Sequence, residues 1–382
     1  MCLSCGPIEG AEGAEDRSAI GRRGLLTAVG GAGLALGLAA CGSPGTPATA
    51  TPARPVADKR KAKLQVVLLG TQAGPPPTPD RAGISTALLV DGHIYLIDCG
   101  RSSVTQFARA GLDFSAIRSI FLTHLHIDHI ADYYNYIVLG GAPVDGGLGS
   151  RGPVQVYGPG PAGGLPPKFG GGTAPVVAPS SPTPGTRALT QNWTDAVAYS
   201  NNVFLRDSGI TDPTTLLDVR EIGLPDVGAD FTNTAPTMRP FPVMSDDKVK
   251  VSAVLVPHGP VFPSFAFRFD TEYGSVTFSG DTARTPNIPA LARNTDLLVH
   301  EAINLQGAKL PPALHNHMLE SHVEVQKVGA IAHESGAKRL VLSHLVDFAR
   351  DSLDARQWQH WAEQGYDRDV VIGADLQRLT VQ

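Results

Sequence analysis

The chain has 382 residues, 42% of them apolar and 18% charged, with 31 Lys and Arg against 36 Asp and Glu. That length suits one large domain or two small ones with a filled core. A net charge of -5 and the lack of a dense Lys/Arg run in the body argue against an obligate nucleic-acid binder, because neutralising phosphates takes clustered cations.

The first segment, residues 1–41, does not read as part of the fold. In "GRRGLLTAVGGAGLALGLAAC", Arg22 and Arg23 precede a Gly/Ala-rich apolar run that is too short and Gly-rich for a membrane-spanning helix. Paired arginines before such a run resemble a twin-arginine export signal. "LAAC" resembles a bacterial lipobox, with Cys41 as the lipidated residue. Residues 42–62, rich in Pro, Ala and Thr, cannot build a core and read as an extended tether. The layout expected is a bacterial surface or periplasmic lipoprotein, anchored to a membrane by its N-terminal lipid, with a domain over residues 63–382. Cys2 and Cys5 lie in the leader, so Cys99 is left without an intrachain disulfide partner in that domain.

"KLQVVLLGT" predicts a buried opening strand, "PPPTPDRAG" a loop, and "ISTALLVDGHIYLIDCG" a hairpin turning at Asp91-Gly92. "SSVTQFARAGL" predicts a helix stopped near Gly111, and "IRSIFLT" a short buried strand. Residues 140–248 change character. Gly/Pro-rich runs alternate with a strand, "PVQVYGPG", and a helix, "NWTDAVAYSNNVFLRD", as an elaboration beside the active site whose Trp193, Tyr199 and Phe204 are candidates for a pocket wall or, more simply, a buried helix face. Strands resume in "KVKVSAVLVPHG", "SFAFRFDTEYGSVTFSGDT", "TDLLVHEAI" and "AKRLVLSHL", with a helix over "HVEVQKVGAIAHESG" closed by Gly336. Strands at both ends with helices between predict an α/β (α+β) domain of two packed sheets with helices outside.

The densest chemistry is "HLHIDH". Three histidines and an aspartate share six residues where a strand ends and a helix begins. His124 and His126, two apart, can face one cation; Asp128 and His129 can face a second. These are N/O ligands that zinc accepts, but only about half the number two ions need. Three further ligand-type residues each end an apolar strand: His258 in "AVLVPHG", Asp281 in "VTFSGD" and His344 in "RLVLSH". A strand followed at once by a ligand-type residue, repeated, is what a metal site on one sheet edge requires.

"THLHIDH", "SGD" and "LSH" resemble the metal motifs of the metallo-β-lactamase superfamily. "LLVHEAI" with "SHVEVQKVGAIAHESGAKRLVLSHL" is similar to its ribonuclease Z and arylsulfatase-like branch. The resemblance runs from Lys63 to Leu345 and largely skips residues 140–248. It implies a four-layer αββα sandwich holding two zinc ions, with manganese or iron as alternatives. By resemblance, His124, His126 and His258 hold the first ion, Asp128, His129 and His344 the second, and Asp281 bridges them. Asp98 in "LIDCG" orients a ligand histidine from behind. The candidate catalytic residues are Asp128, His322 as general acid, and Glu301 as its orienting partner. Two departures stand out: where the branch carries a His-Ser-Thr triplet this chain reads "SHV", with His322 matching the histidine and Val323 replacing the hydroxyl residue, and the long tRNA-clamping arm is not evident.

The function expected is hydrolysis of a small anionic ester, a phosphodiester or sulfate ester, by hydroxide held between the two metals. The alternatives are ribonuclease Z-type tRNA cleavage, a lactonase or β-lactamase reaction, and a metal-binding surface protein without turnover. No Gly-x-Ser-x-Gly elbow is present, and none is needed. His300 reads as structural, His315 and His317 as loop residues near the pocket rim, and His93 and His333 lack a motif. Composition leaves the oligomeric state open, a homodimer included.

Overall fold

The computed structural model describes residues 62–141 and 147–381. The segment expected to be an export signal, Cys41 and most of the expected tether lie outside these residues. Among the described residues the chain forms two seven-stranded sheets. The first sheet contains β1 (Leu64–Gly70), β2 (Ser85–Val90), β3 (His93–Ile97), β4 (Ile117–Phe121), β5 (Val154–Gly158) and β6 (Leu217–Glu221) in sequence order. The second contains β7 (Phe241–Ser245), β8 (Val249–Leu255), β9 (Phe265–Thr271), β10 (Gly274–Phe278), β11 (Leu297–Asn304), β12 (Arg339–Asp347) and β13 (Asp369–Ile372). The closing strand β14 (Arg378–Thr380) returns to the first sheet, pairing antiparallel with β1.

Each sheet is antiparallel on one side and parallel on the other. The change comes at β3 and β4 in the first sheet and at β10 and β11 in the second. Parallel neighbours need crossovers, and helices supply them. On the first sheet these are α1 (Ser103–Arg109), α2 (Ile127–Ile130), α3 (Tyr133–Gly140), α4 (Thr186–Ala196) and α5 (Ala198–Asp207). On the second they are α6 (Asn287–Leu291), α7 (Pro312–Ser321), α8 (Val325–Ser335) and α9 (Ala355–Ala362).

The layering follows from strand alternation. Along β1, Leu64, Val66 and Leu68 enter the core between the sheets, while Val67 and Leu69 pack under the helices. A strand buried on both faces reads as a continuous apolar run, which is why "LQVVLLG" shows no polar alternation. Phe121 of one sheet meets Phe267 and Phe269 of the other at centroid distances of 5.4 and 5.0 Å. Helices outside two facing sheets give the αββα sandwich.

Local signals place the elements. Asp91 and Gly92 both have positive φ, the two-residue turn that matches strand twist in a hairpin. Helix α8 buries Val325, Val328, Ile331 and Ala332 on one stripe and ends at Gly336, whose φ is +65°. The expected helix over "NWTDAVAYSNNVFLRD" is instead two, broken at Val197, and begins earlier at Thr186. Part of the 140–248 elaboration belongs to the sandwich itself, since β5 and β6 extend the first sheet and β7 edges the second. The pocket-wall reading of its aromatics is corrected: Trp193 packs on Tyr133 and Tyr134, while Tyr199 and Phe204 are exposed on α5. Those two are not a buried face either.

Candidate metal centre

The ends of β4, β8, β10 and β12 converge. Beyond β4 the backbone delivers His124 and His126, then α2 turns Asp128 and His129 inward. His258 follows β8 and Asp281 follows β10. Gly280, at φ +57°, makes the turn before Asp281; a Cβ there would lie 2.4 Å from the Phe265 carbonyl oxygen. His344 lies inside β12. Between His300↔Leu342 and Ala302↔Leu345 the register slips by one residue, so β12 bulges opposite Glu301. His344 itself has φ +57°, and the bulge re-aims its ring out of the sheet.

The donor atoms gather in four overlapping groups, each with ligand atoms within 4.8 Å of one another: His124, His126 and His258; Asp128, His129, Asp281 and His344; and two that include His322, one with His258 and Asp281 and one with Glu301 and His344. Asp281 Oδ2 joins the first two, 3.2 Å from His344 Nε2, 3.3 Å from His129 Nε2, 3.7 Å from His258 Nε2 and 3.9 Å from His124 Nε2. All of these residues except His126 and His322 are buried.

Do the residues fit a cation? Ring orientation says they do. His129 Nδ1 lies 2.9 Å from Asp98 Oδ2, and His258 Nδ1 lies 2.9 Å from the Ser321 carbonyl oxygen. A carbonyl only accepts, so His258 Nδ1 carries the proton and Nε2 turns its lone pair inward. His124 Nε2, His129 Nε2, Asp128 Oδ1 and Asp281 Oδ1 are buried without a hydrogen-bond partner. Orphaned buried polar atoms are costly, and four of them within one cluster of imidazoles and carboxylates suit a divalent cation. Burial lowers His124 and His258 below the ordinary imidazole range, His258 to about 3; lost solvation of the ring and the neighbouring His129 lower the more exposed His126 as well, which favours the neutral imidazoles that metal ligation requires. Burial also acts to lower His129, but Asp281, Asp98 and Asp128 outweigh it and hold that ring above its usual value.

Asp98 sits behind the cluster at φ +57°. Its carboxylate accepts from the Thr123 backbone N–H at 2.8 Å and the Thr123 hydroxyl at 2.9 Å, besides facing His129. Thr123 was not singled out in the sequence, although a hydroxyl directly before the first histidine was the available signal. The Ser321 carbonyl behind His258 and the Gly74 N–H, which donates to Asp128 Oδ2 at 3.0 Å, are main-chain groups that side-chain motifs do not reveal.

His322 and Glu301 meet beside this cluster, with His322 Nδ1 3.3 Å from Glu301 Oε1. The same oxygen accepts from the Val323 N–H at 3.0 Å, so the residue that departs from the family triplet contributes through its backbone. Burial lowers His322, yet Glu301 prevails and raises it to about 9. Its ring lies 4.9 Å from that of His258 and 5.7 Å from that of His344. His315 and His317 are corrected from loop to helix, both on α7. His300 is fully buried, Nδ1 facing its neighbour's carbonyl. The cluster floors a cavity of about 820 Å³.

Comparison with known proteins matches this geometry. The family model of the anti-Pycsar protein Apyc1 matches residues 78–133, which span the histidine motif. The chain is 27% identical over 319 residues to ribonuclease Z of Mycobacterium avium, covering 83% of this chain and 98% of that one. Human tRNase Z, short form, superposes with a TM-score of 0.55 at 21% identity, covering 83% of this chain and 99% of that chain. The metallo-β-lactamase fold protein YhfI of Bacillus subtilis gives 0.53 at 17% identity, covering 83% and 99%. The chain thus has the metallo-β-lactamase fold and a sequence similar to ribonuclease Z over almost the whole length of that relative.

Proposed function

We propose that this chain hydrolyses phosphodiesters with two divalent cations, zinc in the first instance. His124, His126 and His258 would hold one, Asp128, His129 and His344 the other, with Asp281 between them. The observation that carries the reading is the inward convergence of buried, partnerless imidazole and carboxylate atoms beside the His322–Glu301 pair. When bound, such ions supply an acidified water and polarise the ester. The chain's own residues do the rest. As the water oxygen bonds to phosphorus, the P–O bond to the leaving group breaks. One water proton passes to Asp128, and the leaving oxygen takes a proton from His322. With Nδ1 facing Glu301, Nε2 is the atom of His322 left to hold that proton.

We also propose an exported lipoprotein, on the strength of Arg22-Arg23, the apolar run and Cys41. Among the described residues no helix is long and apolar enough to cross a membrane. A second reading, cleavage of tRNA, draws on the ribonuclease Z relatives; the scarcity of Lys and Arg in the mostly exposed 161–184 stretch speaks against it.

The test compares the zinc-loaded full chain on a nitrophenyl phosphodiester and on nitrophenyl sulfate. Phosphodiester turnover, lost in Asp128→Ala, is expected. Sulfate turnover alone would replace this reading with an arylsulfatase-like one, and cleavage of precursor tRNA alone would favour the second.

A further inference from the structure

Helix α7 is placed unusually for a helix in a sandwich. Its stripe Leu314, His317, Met318 and Ser321, at i, i+3, i+4 and i+7, is the side a surface helix normally turns into the core. Here all four residues line the cavity above the histidine cluster, and only Ser321 of the helix is buried. Leu314 is 41% exposed. Pro75, Pro76, Phe348 and Leu353 also line this cavity. Phe169, from the Gly/Pro-rich stretch, lies over His317 with ring centroids 4.9 Å apart.

Apolar surface kept out of the core, contiguous with a reaction centre, marks where a ligand's apolar part is held. α7 runs directly into His322, so whatever lies along the stripe is delivered to the candidate acid. Charge on the same walls is balanced: the lining includes Arg81 and Arg350, but Asp80 and Asp351 stand next to them in sequence. A polyanion gains little from such a surface, because its affinity comes from clustered cations. A volume of about 820 Å³ suits one small molecule.

Building on the phosphodiesterase reading, we propose that the substrate is a low-molecular-weight phosphodiester carrying a flat apolar group, which α7 and the Phe348–Leu353 segment sandwich. The walls are thus the specificity determinants, and the metal cluster is indifferent to the group they hold.

The experiment keeps the leaving group constant. Zinc-loaded full chain is assayed on phenyl p-nitrophenyl phosphate and methyl p-nitrophenyl phosphate, each rate divided by that with hydroxide alone. Burying one aromatic ring is worth about tenfold to a hundredfold in kcat/KM in favour of the phenyl ester. Leu314→Asn and Leu353→Asn should each shrink that ratio about threefold or more. Val203→Asn, on the exposed face of α5 and outside the cavity, should leave it unchanged. Calorimetric binding of phenylphosphonate against methylphosphonate reads the same preference without turnover. Equal handling of both esters, or a ratio untouched by the α7 and Leu353 variants, overturns the proposal while leaving the phosphodiesterase reading intact. Silence on both esters sinks that reading; the phosphonate ratio then decides this one, and equal affinity overturns it.

Discussion

Strands β4 and β8 carry a polar cluster at each end, similar in make-up and opposite in character. At their starting ends, Arg118 pairs with Asp247 and reaches Asp246 at 3.5 Å, while Tyr95 donates to Asp246 at 2.6 Å. Lys63 and Lys248 pair with Asp91, and His93 Nε2 lies 3.1 Å from an Arg118 nitrogen. None of these side chains is left with a buried, unpartnered nitrogen or oxygen. At the finishing ends the histidines and carboxylates leave several such atoms facing one another. A closed network stabilises the fold, whereas an open one holds atoms ready for something the chain does not supply. Aspartates occur at both ends; Lys and Arg close the network at one, while histidines surround them at the other and leave buried atoms without partners.

The comparison breaks first at Asp281. Asp281→Ala removes the carboxylate shared by both proposed ligand sets, and metal analysis should show the loss of bound zinc. Turnover should fall on the order of 10⁴-fold, the equivalent of several kcal/mol of Lewis-acid stabilisation. Retention of two zincs and full activity would remove the bridging role. His322→Ala should cost on the order of 10²–10³-fold in kcat with zinc content unchanged, which separates proton delivery from metal holding. If zinc is lost too, His322 belongs among the ligands. The smallest effect is at the closed end. Tyr95→Phe deletes one hydrogen bond to a charged acceptor and should lower stability by about 1–2 kcal/mol, seen in thermal melts. Turnover and zinc content should not change; a drop in either would couple the two ends.

The same contrast explains what was legible in the sequence. The candidate cluster was readable because His124, His258 and Asp281 come within three residues of the ends of β4, β8 and β10, while His344 lies within the apolar run of β12. Edge strands escaped. β6 is only partly buried along its whole length and shows no apolar run, and β13 and β14 are four and three residues long. Helix α7 escaped because its cavity-facing stripe carries His317 and Ser321 beside Leu314 and Met318, and with His315 and Asn316 the segment reads as a polar loop. Tyr199 and Phe204 misled for the converse reason: aromatic residues at helical spacing suggest burial, yet α5 leaves them in solvent. β12 is buried along most of its length and shows no alternation that an extra residue would interrupt, so the bulge at His344 could only be seen in three dimensions.

That bulge inverts a familiar ranking of substitutions. In an ordinary strand, glycine costs more than alanine because it has more freedom to lose. At His344 the backbone sits at φ +57°, where a Cβ is itself the strain, worth about 1–2 kcal/mol. His344→Gly should therefore melt above His344→Ala in metal-free protein, although both lose the ring, and the reverse order would show that the kink relaxes once the histidine is gone. In the glycine variant the peptide keeps its bend around a hole the shape of an imidazole, so free imidazole added to the solvent becomes a replaceable part of the protein.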